Sequence, residues 1–409
     1  MPEFSLDKDQ AHAVETAGRE QMFILTGGPG TGKTFTSQAI LEHLGFDDYQ
    51  IALCAPTGKA AKRLSEATKR EATTVHRLLE YHPHLGWRRN EDCPLDQELV
   101  MIDEASMLDT ALTLRLFRAI RPGTRVIMVG DKDQLPSVGA GNVLRDMIAS
   151  GCVPTVNLTY IHRQSERSFI AVNAQRINAG KVPVYQAGQS DDYFHVNADR
   201  AEDAFNAIVN LVVNTHKTRG ISLDDIQVLC PMREKALGVN AFNVALQERL
   251  NPKGEFNQEC RGFRVRDKVI HIRNNYKLGV FNGETGVITD ICGRGSKSEI
   301  CVSYSDDENE VCYTGEHIND LALSYALTIH KSQGSEWPCV IMPVHSHNSF
   351  MLSRNLFYTG LTRAKRLAFV VCDSIGLQRA VRANQAAGRF TGLTHQLRRA
   401  FGMPTEEAA

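Results

Sequence analysis

Short apolar runs, each closed by a polar turn and followed by an amphipathic stretch, recur along most of this chain. Phe23-Ile24-Leu25, IALCAPT at 51–57, LVMI at 99–102, the core of TRVIMVG from residue 124 and PTVNL from residue 154 are the first of them. DIQVLCPM at 225–232 and KRLAFVVCD at 365–373 follow later. Uninterrupted apolar runs this short fit parallel strands buried on both faces. Between them the spacing predicts helices over 4–22, from Thr34, from Gly58, and over 73–80, 168–178, 200–216 and 235–250, with a basic helical tail at 374–401. Strands and helices alternating in this way predict an α/β fold built on doubly wound parallel sheets.

Two stretches break that rhythm. YHPHLGWRRNEDCP at 81–94 gathers aromatic and imidazole side chains around a glycine and ends at a proline. It reads as a hairpin with exposed rings, or as a surface loop with one tucked-in tryptophan. From Phe263 to about Asp320 short strands alternate with turns, marked by Asn282-Gly283 and the acidic Asp306-Asp307-Glu308. A small β-barrel inserted in the second half fits this pattern. Its Arg261, Arg264, Arg266, Lys268, Arg273 and Lys277 predict one basic side, facing nucleic acid or only solvent.

Composition narrows the class. At 409 residues the chain exceeds one ordinary core, so two or more domains are expected. A net charge of −1 argues against gross electrostatic attraction to nucleic acid but leaves room for a local basic groove. The ten cysteines, scattered without C-x-x-C or paired histidine spacing, predict neither a zinc site nor a disulfide framework. The N-terminal MPEFSLDKDQ has no apolar h-region, and no apolar run is long enough to span a bilayer, which predicts a soluble cytoplasmic protein.

The chemistry concentrates at strand ends. GGPGTGKT at 27–34 follows the first apolar run and opens a helix, which is the arrangement of a phosphate-binding loop. Backbone N–H groups cradle phosphate oxygens, Lys33 reaches the β- and γ-phosphates, and the Thr34 hydroxyl suits Mg²⁺. Asp103 and Glu104 end the run at 99–102, where one carboxylate holds a metal through water and the other polarises an attacking water. Asp131 and Gln134 sit at the tip of the run after residue 124, where a glutamine senses the γ-phosphate and reports it to a neighbouring domain. Pro56 and Thr57, before a helix start bearing Lys59, suit a nucleic-acid phosphate, as do Thr328, His330, Lys331 and Gln333 after the apolar stretch near 325.

In order, GGPGTGKT, APTGKAAKRL, TVHRLL, IDEAS, GDKDQLPSVGAG and YIHRQ resemble motifs I to IV of superfamily 1 helicases. YALTIHKSQGSEW at 325–337 and YTGLTRAK at 358–365 resemble motifs V and VI. Spelling and spacing are most similar to the RecD/Dda branch, superfamily 1B, over nearly the whole chain. Motif I ends GKTF, where the branch more often carries a second small hydroxyl residue, but Lys33 and Thr34 are intact.

The resemblance implies two RecA-like P-loop NTPase domains. Residues 1–80 and 95–150 would form the first, with 81–94 inserted as a hairpin pin; residues 151–256 and 321–409 would form the second, with 257–320 inserted as an SH3-like β-barrel. It implies ATP and Mg²⁺ as cofactors, the metal held by Thr34 and Asp103, and catalytic roles for Lys33, Asp103, Glu104, Gln134, Arg163 and Arg363. Gly28, Pro29, Gly30, Thr31, Gly32, Lys33, Thr34 and Phe35 would hold the nucleotide, with Gln10 reading adenine and Gln134, Arg163, Gly334, Glu336 and Arg363 nearby. Pro56, Thr57, Lys59, His76, Pro136, Thr328, His330, Lys331 and Gln333 would line the nucleic-acid path, and His82, His84 and Trp87 would form the pin that splits a duplex.

The activity so implied is ATP-dependent translocation, 5′ to 3′, on single-stranded DNA and unwinding of tailed duplexes. A monomeric, minimal core of bacterial or phage origin, without the N-terminal extension of some RecD-like proteins, is expected. Two competing readings are a nucleic-acid-stimulated ATPase that remodels protein–DNA complexes and a motor or regulatory subunit of an exonuclease V-like nuclease–helicase complex.

Overall fold

The computed structural model describes residues 6–160, 168–185, 190–253, 259–275, 277–293, 298–304, 310–384, 389 and 391–404. The chain folds as two compact units, Met1–Arg167 with Gln385–Ala409, and Ser168–Asn384. Among the described residues no helix is long and apolar enough to cross a membrane.

In chain order the first unit runs α1 (Lys8–Arg19), β1 (Met22–Gly27), α2 (Lys33–Leu44), β2 (Ile51–Ala55), α3 (Gly58–Thr68), β3 (Ala72–Thr74), α4 (Val75–Leu78), β4 (Tyr81–His82), β5 (Gly86–Trp87), β6 (Leu99–Ile102), α5 (Thr110–Arg118), β7 (Arg125–Gly130), α6 (Val143–Ser150) and β8 (Thr155–Leu158). Six strands form a parallel sheet in the order β3-β2-β6-β7-β1-β8. Successive side chains of a strand point to opposite faces. Phe23 and Leu25 therefore join Ile127, Val129, Leu99 and Met101 beneath α1, α2 and α3. Ile24 joins Val126, Met128, Val100 and Ile102 on the other face, against Leu116 of α5 and Leu144 and Met147 of α6. This two-sided burial is why the strands read as continuous apolar runs rather than as alternation.

The second unit runs α7 (Phe169–Asn178), β9 (Tyr193–Asn197), α8 (Ala201–Arg219), β10 (Ile226–Cys230), α9 (Val239–Leu250), β11 (Glu259–Cys260), β12 (Phe263–Arg264), β13 (Lys268–His271), β14 (Thr285–Cys292), β15 (Glu299–Tyr304), β16 (Glu310–Thr314), β17 (Leu321–Leu323), β18 (Ala326–Thr328), β19 (Trp337–Val344), α10 (Arg354–Leu361), β20 (Ala364–Cys372) and α11 (Ser374–Arg382). Its parallel sheet has the order β18-β10-β19-β20-β9. The insertion is a five-stranded antiparallel sheet, β16-β15-β14-β13-β17, with β11 and β12 as a separate hairpin. The last helix, α12 (Leu393–Ala400), belongs to the first unit, where Leu393 and Leu397 pack against the core.

Several sequence expectations change. The first unit does not end at residue 150, because β8 pairs in parallel with β1 along Ile24–Gly27. The tail is not one helix of the second unit, since α11 stays there while α12 packs on the first. The barrel extends to Leu323, because β17 pairs with β13. Arg264 and Lys268 do not contribute to a basic face. Arg264 is 3% exposed and bonds Glu248 and the Asn251 carbonyl, while Lys268 is 6% exposed and its ammonium donates to the carbonyls of Leu223 and Ile226. Cys301 and Cys312 form a disulfide, because barrel register places them directly opposite on β15 and β16. No local cysteine spacing reveals that pairing.

One buried acid ties the insertion to its host. Asp267 accepts hydrogen bonds from Gln247 Nε2 on α9 (2.5 Å), Asn251 Nδ2 (2.8 Å), the Arg264 N–H (2.8 Å) and the Tyr325 hydroxyl (3.0 Å). Removing the acceptor orphans four donors, each costing about 1–3 kcal/mol if left buried. Asp267→Ala is expected to destabilise the second unit by about 3 kcal/mol or more. Denaturation followed by Trp337 fluorescence in a Trp87→Phe background measures this; an unchanged midpoint would contradict the assignment.

Candidate nucleotide site and nucleic-acid face

The phosphate loop occupies the turn between β1 and α2. Gly32, at φ 81°, takes the left-handed conformation that glycine adopts without strain, and no side chain caps the first turn of α2. The helix start, with its positive dipole end, is thus a ready anion site. Thr31 Oγ1 braces the loop by donating to the Gly28 carbonyl at 2.8 Å. Lys33 Nζ lies across the loop, donating to the carbonyls of Gly27 (2.7 Å) and Gly28 (2.9 Å), and Thr34 is exposed at the helix start.

Asp103 and Glu104 follow β6, which is separated from β1 by β7 alone, so all three carboxyl ends share one edge of the sheet. Glu104 holds a left-handed backbone, φ 50°, a strained conformation for a residue with a Cβ. Its N–H donates to Asp103 Oδ1 at 2.8 Å. Burial, then the Glu104 charge, push the Asp103 pKa up to about 6, while Lys33 and Arg63 oppose the shift. A desolvated carboxyl within the field of the loop lysine is a site that a bound cation would relieve, so the donor set fits a Mg²⁺-nucleotide. At the tip of β7, Asp131 and Gln134 are both buried, and Gln134 Nε2 donates to Asp131 Oδ2 at 3.4 Å.

Other expected nucleotide residues are placed differently. Gln10 is buried in a capping box: its Oε1 accepts from the Asp7 N–H at 3.1 Å, and its N–H donates to Asp7 Oδ1 at 2.9 Å. That cap uses one of the two lone pairs on Oε1 and neither Nε2 hydrogen. Arg163 lies outside the described residues. Arg363 is no surface ion-pair partner: it is 2% exposed, with Nε donating to the Thr359 carbonyl (3.2 Å) and Nη1 to the Ser335 carbonyl (3.2 Å). The second of these bonds fixes it to the turn carrying Gly334 and Glu336, where Glu336 pairs with Lys365 at 3.6 Å.

The expected nucleic-acid contacts form a set on each unit. On the first, Thr57 caps α3 by accepting from the Ala60 N–H, with Pro56 and Lys59 beside it, and Pro136 is half-exposed after Gln134. On the second, Thr328 caps the short turn bearing His330 and Lys331, while Gln333 is buried behind it. Thr328 and Lys331 line a cavity of about 410 Å³ together with Arg233, Asn240, Arg261 and Phe263. The described residues lining it include no carboxylate. Loss of solvation, then the Arg233 charge, lower the Lys331 pKa. Three cations, Arg233, Arg261 and Lys331, lining one cavity with no acid among its described residues fit an anion such as a backbone phosphate. Sequence reasoning missed Arg233, although it follows β10 as Asp103 follows β6.

The hairpin divides the three expected pin residues. His82 and His84 are exposed at the tip, with ring centroids 5.7 Å apart. Trp87 instead turns inward, 4.5 Å from the Tyr81 ring and 5.3 Å from the His76 ring, against the first unit's core. Its large apolar surface gains more by that burial than by standing in water. The tip's apolar side chain is Leu85, 85% exposed, which sequence reading did not single out. Glu80 braces the base through Arg88 (2.7 Å) and Arg89 (2.8 Å).

Comparison with known proteins places this architecture. The chain is 33% identical to the RecBCD enzyme subunit RecD of Mycobacterium tuberculosis H37Rv, covering 93% of its own length and 72% of that protein. The chain belongs to the RecD family. This RecD-family chain is also 37% identical to the ATP-dependent RecD2 DNA helicase of Deinococcus radiodurans, over 96% of its length and 52% of that relative, so it spans about half of it. Family models match as an AAA domain (5–199), an ATP-dependent RecD-like DNA helicase SH3 domain (242–304) and a UvrD-like helicase C-terminal domain (323–371). In fold it is similar to the Pif1 helicase from Bacteroides crystallised with ADP-AlF3 and ssDNA, with a TM-score of 0.59 at 19% identity over 97% of both chains. The two parallel-sheet units are thus RecA-like P-loop NTPase domains, the second carrying the SH3-like barrel.

His76 offers a pH test of the aromatic cluster. Burial lowers its pKa below 6.5, with Asp109 opposing. A histidine kept neutral by the fold contributes stability that is complete above the unfolded value and lost as pH falls through the lowered folded value. In a Trp337→Phe background, Trp87 emission should therefore change on acidification with a midpoint below 6.5, and this step should vanish in His76→Gln. A midpoint above 6.5 would contradict the packing.

Proposed function

We propose that this chain is an ATP-driven motor that moves 5′ to 3′ along single-stranded DNA and opens duplexes bearing a single-stranded tail. The observation that carries the reading is the convergence of the Lys33 ammonium, the desolvated Asp103 carboxyl and Glu104 at the carboxyl edge of one sheet. The magnesium nucleotide supplies the phosphoryl group that is cleaved. Lys33 would exchange its loop carbonyls for phosphate oxygens, and Thr34 and Asp103 would hold the metal, which would neutralise phosphate charge. Glu104 takes the proton of the attacking water. Arg163 and Arg363 stabilise charge on the transferred group, a role worth about 10³–10⁵ in kcat. Strand polarity follows from RecD-family membership, and the strand's phosphates engage Thr57 and Lys59 on one unit and Thr328, Lys331 and Arg233 on the other.

Identity to RecBCD subunits favours a second reading, in which the chain is the motor of a nuclease–helicase assembly. Unwinding by the purified chain alone speaks for the first reading; unwinding only after addition of nuclease subunits speaks for the second.

Glu104→Gln should keep nucleotide affinity while single-strand-stimulated turnover falls about 10²–10⁴-fold, because an amide accepts no proton. Wild-type turnover at saturating DNA would remove Glu104 from this role. The pin reading moves its fork contact from Trp87 to the exposed His82, His84 and Leu85. Replacing those three by glycine should abolish strand separation and spare single-strand-stimulated ATPase, measured side by side on a 5′-tailed duplex. Unwinding at the parent rate would place the wedge elsewhere.

A further inference from the structure

Arg389 belongs to the C-terminal part of the first unit. Its Nη2 donates to the Ser137 carbonyl (2.7 Å) and its Nη1 to the carbonyls of Gly139 (3.0 Å) and Gly141 (2.8 Å). These belong to the irregular loop that follows Gln134. The loop's other side abuts α5. The Ala140 carbonyl accepts from the Thr110 N–H at 2.9 Å, a Cβ on Gly139 would lie 2.2 Å from Asp109 Oδ2, and one on Gly141 would lie 2.0 Å from Thr110 Oγ1. Only glycine fits there. Asp109 caps α5 a few residues beyond Glu104. The loop is thus wedged between the element that follows the catalytic acids and one guanidinium.

The segment bearing Arg389 is anchored along its length. Thr391 donates to the Asp146 carboxylate, and Thr394 Oγ1 to the Asp146 carbonyl at 3.1 Å. Arg398 donates to the carbonyls of Ala149 (3.2 Å) and Ser150 (3.3 Å) at the negative end of α6, where a cation is favoured. Between its bonded neighbours, Val138 stands 86% exposed, and Pro136 precedes it.

We infer that Arg389 and residues 391–400 form a strap whose Arg389 holds the 137–141 loop rigid, and that Arg389 is a positioning residue linking the Gln134 end of that loop to its exposed Pro136–Val138 end. This rests on the motor reading. A guanidinium on three carbonyls removes the backbone freedom that would otherwise let Pro136 and Val138 drift relative to Gln134, so the two ends of the loop keep one geometry. No group of Arg389 touches the nucleotide or takes part in cleavage.

The test is Arg389→Ala, with Arg389→Lys as the conservative variant and Arg389→Gly supplemented with methylguanidine. Measurements are ATPase with and without oligo-dT, fluorescent ADP affinity and thermal stability. The expected result is DNA-free ATPase and ADP affinity within about twofold of the parent, and a DNA-stimulated rate about tenfold lower, recovered in part by Lys or methylguanidine. Full stimulation in Arg389→Ala, or an equal fall of basal and stimulated rates, would overturn the inference. If the parent itself shows no stimulation, the motor reading fails instead.

Discussion

A parallel sheet covered by helices on both faces leaves its carboxyl ends as the place where polar groups can stand without being buried in a core. The rest of the first unit depends on that constraint. Strand alternation sends Ile24 to one face and Phe23 and Leu25 to the other, so β1 is gripped from both sides and its last peptide, at Gly27, is fixed. Lys33 can then lie across the loop, held by the Gly27 and Gly28 carbonyls. Asp103 and Gln134 reach the same edge because β6 and β7 run parallel to β1 in one sheet, with β7 between β6 and β1.

A second theme is the use of cations as backbone clamps. Arg363, Arg389 and Lys268 all direct their donors to main-chain carbonyls. Such bonds fix irregular segments that no strand or helix ladder satisfies. Arg363 is thereby pre-positioned by its own unit, and the loop after Gln134 is stiffened by a residue far along the chain. In both cases the side chain is held in one orientation by its own bonds, so little of its conformational freedom is left to lose.

Much of this was legible in the sequence because the signals were local. The phosphate loop, the Asp103-Glu104 pair and the strand ends need only a short window of apolar run plus polar tip. What escaped depended on long-range pairing or on burial. Nothing near residue 155 announces that PTVNL joins the first sheet, because the partner is β1. Nothing in the tail says that Leu393 and Leu397 cover the first core. Arg264 and Lys268 read as surface charge because cationic side chains usually are, and only the barrel's packing on α9 and β10 turns them inward. Trp87 packs inward for a similar reason: a ring large enough to stack on a base is also large enough to be worth burying in the fold.

The central claim is that nucleotide turnover drives directed movement along a single strand. Streptavidin displacement from end-biotinylated oligonucleotides tests it without requiring a duplex or a pin. For a 5′-to-3′ motor, ATP, and not a non-hydrolysable analogue, is expected to accelerate release from a 3′ biotin while leaving a 5′ biotin at the spontaneous rate. Acceleration at the 5′ end alone, or none at either end while DNA still stimulates ATPase, would contradict it.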